Sequence, residues 1–505
     1  MAYSRNEANE AKGSSGNGGT TNSGLKTISQ PSISLPKGGG AIRGVGEKFA
    51  ANPVTGTGSM SVPIATSPGR SGFGPQLSLS YDSGAGNGPF GFGWSLSLPA
   101  ITRKTDKGLP QYLDDEDSDV YIISGAEDLV PVYRQDPDGT WVASHPGYQL
   151  DADGSWVRDP SGRLVIHEDE LDGYRIRRYR PRIEGLFARI ERWTQVGQRN
   201  GIHWRSISKD NIVTLYGYGD DDGSDAAPRI ADPTDANRVF SWLICETRDD
   251  KGNAVLYRYK SEDGHGVDLA KTHERNRGPR HDSRRTANRY LKHIYYGNRR
   301  PLLDNAGDRP RFLNKGETDA EIANAEWMFE IVFDYGEHDA AAPKPNETGT
   351  WGYRQDPFSS YRSGFEVRTT RMCQRVLMFH HFPGEAGVER DCLVRSTDFT
   401  YSDEVQPTNV RNPVYTFLRK VTQTGYRRNN GGYESRSLPP VEFEYTEPRV
   451  QDIVEQVDSA SIENLPVGLD VSAYQWADLH GEGISGILTE QAGAWFYKRN
   501  LSPIP

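Results

Sequence analysis

The chain has 505 residues, room for roughly three domains of about 150 residues or for fewer, longer all-β units. Its hydrophobic share of 35% lies below the roughly 45–50% of ordinary globular chains, and its mean hydropathy is -0.72, so its core is thin relative to its surface. A formal charge of -10 disfavours nucleic acid or an anionic membrane as a general partner, and the lack of any run of 18 apolar residues argues against a spanning helix. With 54 Gly, 25 Tyr and 10 Trp against only 5 Met, the composition suits strands joined by tight turns and predicts an all-β fold.

Residues 1–30 are Gly, Ser, Asn and charge with almost no aliphatic side chains, and read as a disordered tail. The same stretch has no apolar signal region, so export is expected to use a route other than a classical signal peptide, after synthesis in a reducing cytoplasm. Period-two alternation begins at Ile33 and Leu35 and returns at Gly56–Ile64 and Leu77–Tyr81. The glycine-rich stretch from Ser83 to Trp94 leads into a Trp94/Leu96/Leu98 face. It is read as structural because no parallel strand and helix frame it as they would a phosphate loop.

The same grammar recurs at 119–123, 171–179, 202–217 and 239–248, and a Gly-containing turn at 249–253 leads into the strand 254–260. Further strands are predicted at 290–298, 327–336, 375–382, 392–401, 416–424 and 441–445, one long meander of antiparallel hairpins. The best helix candidate, Glu317 to Trp327, is short. Gly217–Asp235, acidic and poor in apolar residues, reads as a surface loop, and the basic run 271–300 reads as a solvated loop. Cys245, Cys373 and Cys392 lie far apart with no CxxC, so they are read as buried thiols.

Several consecutive motifs then point to one family. The segments starting at Pro31 (PSISLPKGGGAIRGVGEKF), Asn52 (NPVTGTGSMSVPI), Pro68 (PGRSGFGPQLSLSYDSG) and Gly88 (GPFGFGWSL) resemble, in order and spacing, the opening of the SpvB family. That family takes in virulence-plasmid B proteins and the B subunits (TcB) of insecticidal toxin complexes. The resemblance extends through Ile101–Thr105, Gly108–Tyr112 and Asp117–Pro131, and more loosely to about residue 450. A later stretch, Asp470–Leu488, looks like the start of an integrin-like (FG-GAP/VCBS) β-propeller, with Asp478-Leu-His480-Gly-Glu482-Gly where such repeats hold calcium. His480 at a ligand position argues against a metal there.

The resemblance implies three segments: the tail 1–30, an SpvB-like β-rich domain over 31–455, and a truncated propeller start over 456–505. It also implies a non-catalytic structural part. Long antiparallel sheets would form a shell-like wall that encloses a toxic effector, with the C subunit and the channel-forming A subunit of a toxin complex as partners. The alternative it leaves open is the carrier region of a virulence effector whose ADP-ribosyltransferase domain lies outside this chain.

Such transferases use an Arg, an S-T-S strand and a late E-x-E pair, which Arg395-Ser-Thr and Glu442-Phe-Glu444 mimic in order. Val441, Phe443 and Tyr445 alternate with the two glutamates, placing both on the solvated face of an ordinary strand. His380 and His381 should face opposite ways, and Asp114–Asp119 reads as an acidic loop. No catalytic, cofactor-binding or metal-binding residue is assigned, no cofactor is expected, and the chain is read as not an enzyme.

Overall fold

A computed structural model describes residues 47–52, 56–124, 128–183, 185, 187–198, 201–219, 227–310, 326–402, 415–429, 431–446, 453–454, 456, 458–465, 473–481 and 483–501. The predicted tail 1–30, the strand around Ile33 and most of the helix candidate lie outside those residues. The described part is built of β-strands, with two α-helices of one turn each, Thr140–Ser144 and Ser459–Ile462.

The composition's promise of strands is met by two connected architectures, a closed ring and an open meander. Eight strands form the ring: Ala100–Arg103, Tyr121–Ile123, Asp128–Pro131, Tyr174–Pro181, Arg189–Gln195, Ile202–Ile207, Val213–Tyr216 and Asp235–Arg248. Each pairs antiparallel with the next, and Ser241–Leu243 pairs back onto Ala100–Thr102 to close the barrel. Closure removes the unpaired edges that an open sheet would expose. Every second residue points inward, and the interior is packed by Ile101, Tyr121, Ile190, Trp204, Trp242 and Ile244, all buried. Tyr121 sits among Trp204, Trp242 and Tyr179, with ring centroids 4.9, 5.8 and 6.0 Å away, so aromatic side chains pack the interior.

The strand Asp235–Arg248 belongs to both architectures. Its 14 residues close the ring through Ser241–Leu243, and Glu246–Arg248 pairs with Val213–Leu215 of the ring on one side and with Ala254–Leu256 on the other, where the meander starts. The meander continues through Arg289–Asn298, Trp327–Asp334, Arg375–Phe382, Glu389–Tyr401, Leu418–Asn429 and Gly432–Ser437. A second, four-stranded sheet of Lys48–Asn52, Thr57–Ile64, Leu77–Asp82 and Trp94–Leu96 packs against one of its faces.

The interface between these layers is the main core. Val62, Ile64, Leu77, Leu79 and Trp94 from one layer meet Ile294, Tyr296, Ile331, Phe333, Met378 and Val421 from the other. Polar links cross the same interface. Tyr296 donates its hydroxyl to the Ser67 carbonyl at 2.6 Å, Gln423 donates to the Pro63 carbonyl at 3.2 Å, and Trp94 Nε1 donates to the Tyr445 hydroxyl at 2.7 Å. The opposite face of the meander carries a smaller cluster of Val332, Leu377, Phe379 and Leu393, with Tyr426 and Tyr433 packed on it.

The glycine stretch before Trp94 serves as a structural close approach. Gly91 has φ +93°, a Cβ there would stand 2.9 Å from the Thr416 carbonyl oxygen, and the Phe92 amide donates to that same oxygen.

Four local expectations need correction. Residues 171–179 are a hairpin, not one strand: Glu168–Leu171 turns through Asp172 and Gly173, both at positive φ, into Tyr174–Pro181. Residues 202–217 likewise fold back at Ser208–Ile212, where Asn211 has φ 58°. Asn and Asp tolerate left-handed backbone, so the polar run inside each apolar pattern was a turn signal. The expected surface loop 217–235 contains the strand Arg229–Asp232, whose Arg229 and Asp232 are buried against the bulged edge of Asp235–Arg248. The basic run 271–300 is solvated only in part: Lys271, Arg275, Arg280 and Arg284 are exposed, but Arg285 and Lys292 are buried and Arg277 is half-buried, with the partners given below.

A separate three-stranded antiparallel sheet is formed by Tyr474–Ala477, Gly486–Gln491 and Ala494–Lys498. Trp476, Trp495 and Phe496 of this sheet are exposed.

Candidate functional site

The basic run and its partners show how this fold holds its long connections. Glu274, 1% exposed, accepts from Arg285 at 2.5 Å and from Arg368 and the Tyr353 hydroxyl at 2.6 Å each. Burial raises the Glu274 pKa, but these donors more than offset it and leave the carboxyl at about 2. Arg277 pairs with Glu366, Arg371 with Glu262, and Lys292 with Glu337. The loops 262–288 and 335–372 are thus fastened to the meander by buried, charge-assisted hydrogen bonds. The positive charge was legible in sequence; the acceptors of Arg277 and Lys292, 89 and 45 positions away, were not.

The mouth of the ring is a second constellation. Arg103 and Arg192 project into the barrel, each 1% exposed. Arg103 donates to Asp114 at 2.8 Å and to Asp119 at 2.7 Å, and Arg192 donates to the Tyr121 hydroxyl at 3.0 Å and lies 3.2 Å from Asp117. The acidic loop 114–119 therefore neutralises two arginines within the fold. Burial pushes Asp114 up, yet its hydrogen bonds with Arg103 and charge pairing hold it below the ordinary carboxylate range. Burial also pushes the Tyr121 hydroxyl up to about 12.

Above these residues opens a cleft of about 670 Å³, bounded by the loop 111–116, the hairpin turn 194–198 and the strand start 235–238. A cleft at a barrel mouth is a common position for a ligand site. Neither the cleft nor the arginine pair was singled out in sequence. The only signal was Arg103 and Arg192 standing at inward positions of otherwise apolar alternations.

The residues weighed for catalysis do not converge. Arg395 lies in Glu389–Tyr401 opposite Met378 and Gly425, and Ser396 donates to Asp398. Glu442 is exposed and pairs with Lys420 at 2.7 Å, and Glu444 is exposed as the alternation predicted. His380 lies 2.7 Å from Ser67 Oγ in the interlayer region, and burial pushes it down to about 4. His381 turns to the other face, where Glu330 accepts from it at 3.0 Å and from His293 at 2.8 Å. Burial raises Glu330, but both imidazoles override it and hold the carboxyl at about 2. Cys245, Cys373 and Cys392 are buried free thiols. Around Asp478 the loop amides of His480 and Gly483 donate to the carboxylate. Among the described residues no group of three or more His, Cys, Asp or Glu is placed to hold a metal ion, and no helix is long and apolar enough to cross a membrane.

Comparison with known proteins gives the same picture from three directions. The family described as Salmonella virulence plasmid 65kDa B protein, SpvB, matches residues 52–382. The chain is 36% identical over 398 residues to a protein named Mono(ADP-ribosyl)transferase SpvB from Salmonella choleraesuis, and 36% identical over 388 residues to its namesake from Salmonella typhimurium. These alignments cover 78% and 76% of this chain but 56% and 55% of those proteins, so the chain spans about half the length of the curated relatives it matches. Among solved structures, the TcdB2-TccC3 complex matches 94% of this chain and 20% of its own, at 29% identity and a TM-score of 0.68. The Photorhabdus luminescens Tc holotoxin pore matches 93% of this chain and 19% of its own, at 30% identity and a TM-score of 0.62. The N-terminal domain of the effector SpvB from Salmonella typhimurium matches 72% of this chain and 99% of its own, at 32% identity and a TM-score of 0.51.

Proposed function

The chain belongs to the SpvB family, and from that premise we propose that it is a non-catalytic wall segment of a bacterial toxin complex. In this reading the ring and the double-layered meander form part of a β-shell that encloses a toxic effector. The partners are a C-type subunit that completes the shell and a channel-forming A-type subunit. The observation that carries the reading is the likeness to TcdB2-TccC3, which extends over 94% of this chain. The architecture suits the role. A continuous sheet supported by a second layer is rigid, its buried charges are matched within the wall, and the outer strand Gly432–Ser437 has no second strand partner among the described residues. That strand displays Glu434 and Arg436 to solvent, and charges of this kind keep an unpaired edge from aggregating while leaving it able to pair with a chosen chain.

The sheet 474–498 fits the start of a β-propeller within 456–505, because a blade buries its face against neighbouring blades and Trp476, Trp495 and Phe496 are here exposed. Synthesis in the bacterial cytoplasm and release without a classical signal peptide complete the proposal.

The test is co-expression of the full-length protein with a C-type subunit, followed by size-exclusion chromatography and negative-stain microscopy. A hollow particle containing both proteins is expected; a monomer that ignores the C-type subunit would overturn the proposal. A second reading, the carrier region of an effector with a transferase domain elsewhere, is favoured by the names of the curated relatives. It predicts that the longer protein labels a target from NAD while the chain 1–505 alone does not. Labelling by the chain alone would contradict both readings.

A further inference from the structure

We propose that the cleft at the mouth of the ring binds a short neutral oligosaccharide. Its volume of about 670 Å³ falls within the roughly 300–1,000 Å³ of small-molecule clefts, but its lining is unlike that of an apolar ligand pocket. Twelve of the eighteen lining residues are Asp, Glu, Asn, Gln or Arg, planar polar groups that can each make paired hydrogen bonds to neighbouring hydroxyls.

The state of those groups narrows the ligand. Arg175, Arg192 and Arg238 already have acidic partners in Asp115, Asp117 and Asp232. By contrast, the carboxylates of Glu116 and Glu170 have no ion-pair partner among the described residues, and the side-chain amides of Gln111, Gln195 and Gln198 make no hydrogen bond there. Arg192 is 1% exposed and lines the cleft, and its Nε–H finds no acceptor among the described residues.

The cleft thus offers spare acceptors and spare donors side by side. A simple cation would satisfy the two glutamates and leave the amide donors of Gln111, Gln195 and Gln198 unused. A simple anion would meet Glu116 and Glu170 unfavourably. Hydroxyl groups donate to carboxylates and accept from amides, so a polyhydroxylated neutral ligand uses both sets. Leu113 and Val196 at the rim, 47% and 63% exposed, provide the apolar ledge on which the C–H face of a sugar ring rests. This assignment is independent of whether the wall encloses an effector.

The experiment is a glycan array probed with the full 505-residue chain, followed by calorimetry with the best-retained neutral glycan and with a lysine- and arginine-bearing peptide. The expected result is retention of neutral oligosaccharides, with affinity falling about tenfold or more in the double variant Glu116→Gln, Glu170→Gln and in Gln198→Ala. These residues are exposed, so an unchanged melting temperature verifies that the variants are folded. Silence of the array, retention untouched by the variants, or binding of the basic peptide alone would each overturn the assignment.

Discussion

Arg103 illustrates how the ring tolerates charge in its interior. Its guanidinium lies 4.7 Å from the Tyr112 ring centroid and 5.3 Å from those of Tyr121 and Trp242. Asp114 and Asp119 take its hydrogens, and its Nε donates to the Val239 carbonyl at 2.7 Å. Truncating one partner of such a buried pair strands the other, so Arg103→Ala is expected to cost about 3–5 kcal/mol, read from the urea midpoint; a loss below about 1 kcal/mol would show that the arginine is not integral to the barrel. The histidines make a prediction of opposite chemical origin. Burial, followed by the nearby His381 and Arg395, pushes His380 from 6.5 to about 4, and burial also lowers His167, His273 and His338. A histidine lowered on folding is protonated first in the unfolded chain. Stability therefore declines as pH falls below about 6.5, and His380 adds no further loss below about 4. Glu274 and Glu330, held at about 2, act in the other window, contributing fully above their unfolded value of 4.5 and losing that contribution as pH falls towards 2. Urea midpoints measured from pH 7.5 to 5 should fall, and His380→Gln should make the fall shallower. A flat profile would contradict this account.

At the scale of elements, the two-layer core depends on residues that a period-two reading finds easily. Leu79 is fully buried between the N-terminal sheet and the meander, and Leu79→Ala is expected to destabilise the protein by about 2–5 kcal/mol, with hydrogen exchange rising in Thr57–Ile64 and Leu77–Asp82 before it rises in the ring. Alternation at Leu77–Tyr81 and Trp94–Leu98 was enough to place strands and their inward faces, because half-buried sheet imposes that period directly, while 254–260 and 375–382 are apolar runs of strands buried on both faces over much of their length. The Glu442/Glu444 pattern was legible for the same reason. What local pattern could not show is pairing between distant strands. Ring closure rests on Ala100–Thr102 meeting Ser241–Leu243, some 140 positions apart, and the sequence reading accordingly saw only a meander. The same limit hid the carboxylates that pair with Arg277 and Lys292 and the convergence of loops 111–116, 194–198 and 235–238 on one cleft. Two hairpins were read as single strands because Asp172-Gly173 and Ser208–Asn211 interrupt apolar patterns too briefly to break the count.

For the whole molecule, the family assignment and the all-β architecture agree, and the division of labour inside the chain follows from them. The ring has no open edges, whereas the meander does, and the strand Asp235–Arg248 joins the two. A unit of this design gains most by being built into a larger sheet, which is the substance of the wall proposal. Glu274, Glu330, Arg277 and Arg371 are each held in internal ion pairs. The most direct measurement is a cryo-electron microscopy map of the full-length protein assembled with its C-type subunit. The account predicts that the ring and the meander lie within the wall of a closed shell, with the meander's strands continuing into neighbouring strands of that wall. A map in which residues 47–446 form an appendage outside a shell completed without them would contradict it.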